Sequence, residues 1–244
     1  IAAEDIRMAA DLLYPVWERT QGVDGYVSLE VHPHLARNAR ETIAIARHLS
    51  GLVSRKNLMI KVPATREGLE AVETLIGEGM NINVTLLFSR ERCRQVHEAY
   101  LKGLERLEKA GKDLSSVASV ASFFVSRVDS AVDALLEQKK APASLFGKAA
   151  NANSVLAYQD FLTIFSSPRF LRLKQKGARV QRLLWASTST KNPEYRDVMY
   201  IEGLIGRDTV NTMPLATLDA FRDHGRVKPT LESVVAAARK LLDQ

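Results

Sequence analysis

Cysteine is almost absent from this sequence, because Cys93 is the single cysteine among 244 residues. One thiol can form neither an intramolecular disulfide framework nor a thiolate metal cluster, which excludes a disulfide-stapled scaffold and a cysteine-rich zinc domain. We predict that Cys93 is a small buried or half-buried side chain inside a helix. A reducing, cytoplasmic setting fits this composition.

Long apolar runs are missing as well. No stretch of about 18 consecutive apolar residues occurs, so the sequence predicts no membrane-spanning helix, and no signal peptide is visible. The formal net charge is +6, yet the basic residues are scattered along predicted helices rather than clustered. This distribution disfavours nucleic-acid binding and suits an anionic small-molecule substrate.

Two further signatures are lacking. No Gly-x-Gly-x-x-Gly turn follows a predicted strand, which argues against a dinucleotide cofactor. His32 and His34 have a spacing that metal ligands can use, but no third ligand lies near them in the sequence, so a role in a loop is favoured. We therefore expect neither a cofactor nor a metal ion.

What the sequence contains is a regular alternation of apolar strands and amphipathic helices. The predicted strands cover residues 25–31, 58–65, 81–87, 116–122, 182–187 and 208–213. The predicted helices cover residues 2–19, 35–50, 66–77, 90–110, 125–136, 147–165, 169–176, 195–204, 215–222 and 230–242. Such alternation is typical of βαβ units and a parallel sheet, either an open doubly wound sheet or a (β/α)8 barrel.

Polar residues within the strands or at their C-terminal ends favour the barrel. They are Glu30, Lys61, Asn83, Thr85, Ser122 and Ser187. The C-terminal ends of barrel strands converge on one site, whereas an open sheet spreads them apart. We predict a (β/α)8 TIM barrel in which residues 1–244 form a single domain. Because no strand precedes the first helix, we expect the first two strands and the C-terminal end of the barrel to lie outside this chain.

Lys61 is the most unusual of these residues, because it interrupts the apolar run from Leu58 to Thr65. Burial of an ammonium group is costly and lowers the pKa of a lysine, which makes the amine a usable nucleophile near neutral pH. An amine of this kind, without a cofactor, suggests a Schiff base that permits cleavage of a carbon–carbon bond. The alternative is a lysine whose head group simply reaches out to water.

The neighbouring strands supply polar partners for such chemistry. Glu30 is the candidate proton shuttle, and Asn83 and Thr85 point to the same face of their strand because they are two residues apart. The alternative for Glu30 is a salt bridge to Lys61 without a catalytic role. Lys191 is a competing Schiff-base lysine, although it lies in a polar loop where little would lower its pKa.

A phosphate site is predicted around Arg127, which lies near the start of a helix after the fourth strand. A guanidinium group and the free N–H groups of a helix N-terminus bind anions, although an ordinary surface arginine is the alternative. Ser187, Ser189 and Lys191 are candidates for the other half of this site. Asn211 and Thr212 can contact substrate, but capping of a strand end is the favoured role.

Five blocks of sequence resemble the transaldolases, and the resemblance covers nearly the whole chain. The blocks are Val27–Val31, Met59–Thr65 followed by Gly68, Asn81–Ser89, Ala121–Asp129 and Leu184–Lys191. They are most similar to the longer bacterial branch, in which a transaldolase is sometimes fused to a glucose-6-phosphate isomerase. The resemblance implies a (β/α)8 barrel and a cofactor-free enzyme of the pentose phosphate pathway, acting as a monomer or a homodimer.

The resemblance also implies a reaction and a role for each matching residue. A dihydroxyacetone unit would move from sedoheptulose 7-phosphate to glyceraldehyde 3-phosphate, giving erythrose 4-phosphate and fructose 6-phosphate. Lys61 would be the Schiff-base lysine, and Glu30 and Thr85 would hold the catalytic water. The substrate-binding residues would be Asn83, Ser122, Phe124, Arg127 and Ser187.

Two departures and two rivals accompany this resemblance. Ser189 stands where some relatives have an arginine, and the aspartate strand and Asn-Pro turn that precede the Glu30 strand in the family are not in this chain. Fructose 6-phosphate aldolase is the nearest rival, but in that group glutamine and tyrosine tend to replace the residues matching Glu30 and Phe124. A non-catalytic remnant domain is the other alternative.

Overall fold

In the computed structural model, residues 2–244 are described. The helices are α1 Ala2–Arg19, α2 Ala39–Val53, α3 Arg66–Glu78, α4 Arg90–Lys109, α5 Ser126–Gln138, α6 Ala149–Phe165, α7 Pro168–Lys174, α8 Met199–Glu202, α9 Leu215–His224 and α10 Val235–Leu242. The strands are β1 Val27–Glu30, β2 Leu58–Pro63, β3 Ile82–Leu87, β4 Ser119–Phe124, β5 Arg182–Ala186 and β6 Thr209–Asn211.

The six strands follow one another in the sheet in chain order, and β1–β2, β2–β3 and β5–β6 pair in parallel. The predicted α/β class and parallel sheet are therefore confirmed. The described chain separates into two compact units. The first unit contains residues up to 86, 95–121 and 165–181, and the second contains residues 87–94, 122–164 and 182–244. Among the described residues, none of the helices combines the length and the apolar character that a membrane-spanning helix requires.

In the first unit, β2 is buried along almost its whole length. Ile60 and Val62 are buried, and only Lys61 within this strand is partly exposed. Helices α2 and α3 pack against each other and against β2. Gly68 in the first turn of α3 lies so close to the end of β2 that an added Cβ atom would fall 1.9 Å from the carbonyl oxygen of Pro63. This close approach fixes α3 against the end of the lysine-bearing strand.

The start of α2 differs from the prediction. The segment Pro33–Arg37 forms a 3-10 helix, and α2 begins at Ala39, not at Leu35. The reason is Asn38, whose side-chain oxygen accepts a hydrogen bond from the N–H of Glu41 at 3.1 Å. An asparagine in extended conformation at this position caps a new helix and separates it from the turn before it. The periodicity of apolar residues ran across this boundary, so it did not reveal the cap.

Replacing Asn38 with alanine should lower the free energy of unfolding by about 1 kcal/mol, because the first N–H groups of α2 lose their side-chain acceptor. Urea denaturation followed by circular dichroism measures this loss. Asn38→Asp keeps an acceptor oxygen and is the matched control, for which we expect a change of less than about 0.5 kcal/mol. Equal destabilisation by both substitutions would contradict the capping role.

The fourth strand is shifted relative to the prediction, from 116–122 to Ser119–Phe124. The segment Leu114–Ser116 forms a 3-10 turn, because the side chain of Asp113 accepts a hydrogen bond from the N–H of Ser115 at 2.9 Å. Asp and Ser side chains compete in this way with strand formation. The shift moves Phe124 into β4.

The second unit has its own aromatic core. Trp185 on β5 is buried, meets the ring of Phe123 edge-on at 6.1 Å, and donates its indole N–H to the carbonyl oxygen of Leu204 at 2.9 Å. Cys93 in α4 belongs to this unit and is buried, as predicted. Burial raises the pKa of the Cys93 thiol, so the thiol stays protonated at neutral pH.

Candidate functional site

Lys61 and Glu30 form an ion pair in the first unit. They are opposite each other in the register of β1 and β2, and Lys61 Nζ lies 3.1 Å from Glu30 Oε2. The Lys61 side chain is 28% exposed and that of Glu30 is 45% exposed. The lysine is therefore half-buried, not fully buried as the apolar strand suggested, because its head group extends to the carboxylate.

Asn83 continues the same row of residues across the sheet. Its partner in the register of β2 and β3 is Lys61, so Glu30, Lys61 and Asn83 occupy equivalent positions on three adjacent strands. Side chains at equivalent positions of neighbouring strands share a face of the sheet. Asn83 also donates a hydrogen bond from Nδ2 to Ser28 Oγ at 3.1 Å. Ser28 precedes Glu30 by two residues and thus faces the same side of β1.

Thr85 lies two residues after Asn83, opposite Pro63 in the register, and both polar side chains are nearly completely buried. The prediction that Asn83 and Thr85 share a face is consistent with this register. The first unit therefore gathers an amine, a carboxylate, an amide and two hydroxyl groups on one face. Such a set provides a nucleophile, a proton acceptor and hydrogen-bonding groups for a hydroxylated substrate.

The second unit contains the other predicted residues. Ser122 and Phe124 are two residues apart on β4, with Ser122 buried and Phe124 half-buried. The ring of Phe124 lies 5.3 Å from that of Phe88, and the guanidinium carbon of Arg127 lies 5.0 Å from the centre of the Phe124 ring. A guanidinium group over an aromatic face gains a cation–π interaction, which limits the orientations that the arginine can adopt.

Arg127 is exposed and occupies the first turn of α5, as the sequence predicted. The residue before this helix is Val125, and no side-chain oxygen caps α5 within the described chain. The first N–H groups of a helix carry a partial positive charge and need acceptors. An exposed guanidinium group beside such a helix end can bind an anion.

Ser187 lies beside the same helix end. Its carbonyl oxygen accepts a hydrogen bond from the N–H of Ser126 at 2.9 Å, and the two hydroxyl oxygens are 2.9 Å apart. Ser187 has a φ of 57°, in the left-handed region, immediately after β5. This turn carries the serine from the strand end to the first residue of α5, next to Arg127.

Lys191 has different surroundings from Arg127 and Ser187. It is exposed, and its Nζ donates a hydrogen bond to Ser189 Oγ at 3.0 Å. It lines a cavity of about 450 Å³ that is also lined by the carboxylates of Asp129, Asp133, Glu137 and Glu194. Negative charges around the cavity oppose an anion there, so a phosphate role for Lys191 is not favoured.

The remaining polar candidates have structural partners. Asn211 accepts a hydrogen bond from the hydroxyl of Thr188 at 2.8 Å, and the Thr212 carbonyl oxygen accepts from the same hydroxyl at 3.2 Å. The His32 side chain accepts a hydrogen bond from the N–H of His34 at 3.4 Å and caps the 3-10 turn that follows. The contacts of Asn211 and Thr212 agree with the predicted capping of a strand end. The contact of His32 agrees with the predicted role in a loop.

Comparison with known proteins identifies the family. The model of the transaldolase/fructose-6-phosphate aldolase family matches residues 1–244. The chain belongs to this family. It is 54% identical over 246 residues to a transaldolase of Thermobifida fusca and 49% identical over 247 residues to one of Mycolicibacterium smegmatis, covering 100% of this chain and 67% of each relative. A transaldolase of Thiobacillus denitrificans is 52% identical over 236 residues, which are 96% of this chain and 66% of the relative.

The chain thus spans about two thirds of the length of these curated transaldolases. The predicted resemblance to the transaldolase family is confirmed. Among the residues of the blocks that resemble the family, the structure brings together Glu30, Lys61, Asn83 and Thr85 in the first unit. It groups Phe124, Arg127 and Ser187 near the start of α5 in the second unit, with Ser122 on the adjoining strand.

Two residues of these groups were not singled out from the sequence. Ser28 bonds Asn83, and the two-residue spacing between Ser28 and Glu30 was the signal that could have found it. Ser126 links Ser187 to α5, and its place directly before Arg127 at a strand-to-helix junction was a comparable signal.

Proposed function

We propose that this member of the transaldolase/fructose-6-phosphate aldolase family is a transaldolase, an enzyme that transfers a dihydroxyacetone unit between sugar phosphates. The observation that supports this most strongly is the row formed by Glu30, Lys61 and Asn83, within a chain about 50% identical to curated transaldolases. The donor would be sedoheptulose 7-phosphate and the acceptor glyceraldehyde 3-phosphate, with erythrose 4-phosphate and fructose 6-phosphate as products.

In this proposal Lys61 is the nucleophile. In its resting ion pair the ammonium group must first lose a proton, and the adjacent Glu30 carboxylate can accept that proton directly or through a water molecule. The free amine adds to the carbonyl carbon of the ketose, and loss of water gives an iminium ion. The iminium ion accepts the electron pair of the breaking carbon–carbon bond, and the aldose phosphate leaves.

The remaining steps reverse the first ones with a new aldehyde. The enamine left on Lys61 attacks the carbonyl carbon of the acceptor glyceraldehyde 3-phosphate, and hydrolysis of the new iminium ion frees fructose 6-phosphate. We assign to Glu30 and Thr85 the water that carries protons between these steps. Asn83, held by Ser28, is assigned to the sugar hydroxyls.

We assign the substrate phosphate to Arg127 and Ser187. The exposed guanidinium group, the uncapped helix start and the neighbouring serine hydroxyl provide a cation and several hydrogen-bond donors for an anion. Ser122 and Phe124 are assigned to the wall that contacts the sugar. Binding of the substrate phosphate by Arg127 agrees with the positive net charge of the chain.

Further parts of this proposal follow from the family. The parallel strands would belong to a (β/α)8 barrel, the enzyme would act in the pentose phosphate pathway in the cytoplasm, and it would be a monomer or a homodimer. No residue is assigned to a cofactor, because the lysine amine itself provides the electron sink.

An assay of products separates transfer from simple cleavage. With fructose 6-phosphate and erythrose 4-phosphate present, we expect sedoheptulose 7-phosphate and glyceraldehyde 3-phosphate to form in equal amounts, measured by mass spectrometry. With fructose 6-phosphate alone, we expect at most one cleavage per Lys61, because the dihydroxyacetone unit stays bound. Continuous release of free dihydroxyacetone at a comparable rate would instead identify an aldolase.

A further inference from the structure

The segment after β5, residues 187–198, carries Ser187 and contains no regular helix or strand. We call it the β5 loop. At its start, the Thr188 hydroxyl is held by Asn211 and by the carbonyl oxygen of Thr212. Residues 189–194, which form its tip, have polar or charged side chains or, at Pro193, a proline. Ser187 is itself bonded to Ser126 at the start of α5, and the far side of this loop is anchored separately.

The anchor is an aspartate of α5 whose carboxylate accepts two hydrogen bonds, and this arrangement occurs twice on the helix. Asp133 accepts a hydrogen bond from the Gly147 N–H at 3.0 Å and one from the Tyr195 hydroxyl at 2.6 Å. Asp129, one turn earlier, accepts one from the Ala150 N–H at 2.7 Å and one from the Tyr200 hydroxyl at 2.9 Å. Each carboxylate therefore joins α5 to the start of α6 on one side and to the β5 loop or α8 on the other.

The surroundings of Tyr195 hold its hydroxyl group in place for the bond to Asp133. Gly147 has a φ of 65°, and an added Cβ atom there would fall 2.7 Å from the Tyr195 ring, so the ring lies directly against the glycine. Burial, together with the bond to Asp133, raises the pKa of Tyr195 to about 12. The hydroxyl therefore remains a proton donor over the whole physiological range, and the bond to the carboxylate is charge-assisted.

We propose that Tyr195 and Asp133 are positioning residues that set the phosphate affinity of the enzyme by holding the β5 loop against α5. Arg127 lies in the first turn of that helix and Ser187 at the start of that loop, so this bond supports, from the far side of the loop, the direct contact between Ser187 and Ser126. The inference rests on the proposed function, since it assumes that Arg127 and Ser187 bind phosphate.

Without the Tyr195 hydroxyl, the loop loses its hydrogen bond to α5, and Asp133 loses one of its two donors. Arg196 and Asp197 keep their contacts with Glu202 and His224. The effect is therefore the loss of one hydrogen bond to a charged group. The loop should sample positions in which Ser187 is farther from Arg127.

Steady-state kinetics of Tyr195→Phe, which removes one hydroxyl group and keeps the ring, test this inference. We expect KM for fructose 6-phosphate and the inhibition constant of inorganic phosphate to rise by about tenfold, with kcat within about twofold of the unmutated enzyme. Borohydride trapping of dihydroxyacetone, which has no phosphate, should be unchanged. Asp133→Asn, which weakens the same bond by removing the charge, should show the same pattern to a smaller extent.

Tyr158→Phe is the matched control. It also removes a tyrosine hydroxyl bond in the second unit, to the carbonyl oxygen of Arg207 at 3.1 Å, but far from the β5 loop in sequence. We expect its KM for fructose 6-phosphate to stay within about twofold of the unmutated value. If both tyrosine variants raise KM equally, or if Tyr195→Phe reduces phosphate binding and dihydroxyacetone trapping alike, the positioning role is wrong.

The same measurements separate this inference from the proposed function. If Arg127 and Ser187 do not bind phosphate, the inhibition constant of inorganic phosphate will be the same for Arg127→Ala and the unmutated enzyme. If only the positioning role is wrong, phosphate will inhibit the unmutated enzyme, and Tyr195→Phe will keep its inhibition constant.

Discussion

Replacing Lys61 with methionine should abolish transaldolase activity, with kcat/KM falling by roughly 10⁴-fold or more, as when other enzymes lose a covalent nucleophile. No other group in the Glu30–Lys61–Asn83 row can form an iminium ion with a ketose. Methionine has a similar length and suits a strand whose other residues are buried, so the fold should be retained. A coupled assay of erythrose 4-phosphate formation measures the loss.

Borohydride trapping tests directly whether Lys61 forms the Schiff base. In the presence of fructose 6-phosphate, reduction should leave a stable adduct on Lys61, which peptide mass spectrometry will locate. Lys191→Met is the matched control, because it removes the rival lysine, and it should keep both the adduct and the activity. An adduct on Lys191 would contradict the assignment. No adduct at all in the unmutated protein would support a non-catalytic domain.

Replacing Arg127 with alanine should weaken the binding of phosphorylated substrates by about 100-fold. Two charge-assisted hydrogen bonds to phosphate contribute about 1.5–3 kcal/mol each, and water recovers part of this free energy. Dihydroxyacetone has no phosphate and should be trapped on Lys61 with unchanged yield. The measurement is KM for fructose 6-phosphate alongside the dihydroxyacetone concentration that gives half-maximal trapping.

Arg222→Ala is the control for this change. Arg222 is also an exposed arginine of the second unit, with a loose ion pair to Asp219 at 3.9 Å. Its removal lowers the net charge by the same amount, so it reports any general loss of electrostatic attraction. We expect less than a twofold change in KM. An equal loss of fructose 6-phosphate and dihydroxyacetone binding in Arg127→Ala would remove Arg127 from the phosphate site.

The prediction of helices and strands succeeded where local signals were complete. Helix α1 was predicted at its observed bounds, Ala2–Arg19, and α3 within one residue at its end, because Gly79 in the left-handed region stops it. The predicted helices 195–204 and 230–242 were too long, since α8 is Met199–Glu202 and α10 is Val235–Leu242. The prediction was also wrong at the start of α2 and at β4. In both places a short polar side chain, Asn38 or Asp113, bonded to the backbone and formed a cap or turn within an otherwise periodic segment.

For the candidate site, the sequence identified residue types but not their pairing. The apolar run around Lys61 predicted a buried strand, and β2 is buried. The run did not reveal that the lysine side chain is partly exposed beside Glu30, because exposure depends on the residue opposite in the neighbouring strand. The salt bridge considered as an alternative is present. Such a pair is compatible with catalysis, because Glu30 is then placed to take the lysine proton.

By itself the sequence determined the strand–helix order, the strand position of Lys61 and the family to which the chain belongs, since these depend on residues close together in the chain. Only the tertiary structure decided the strand register and the long-range bonds. Ser28 and Asn83 are 55 residues apart, and Asp133 and Tyr195 are 62 apart. Hydrogen bonds at such separations leave no periodic signal, because the packing of whole strands and helices brings the two partners together.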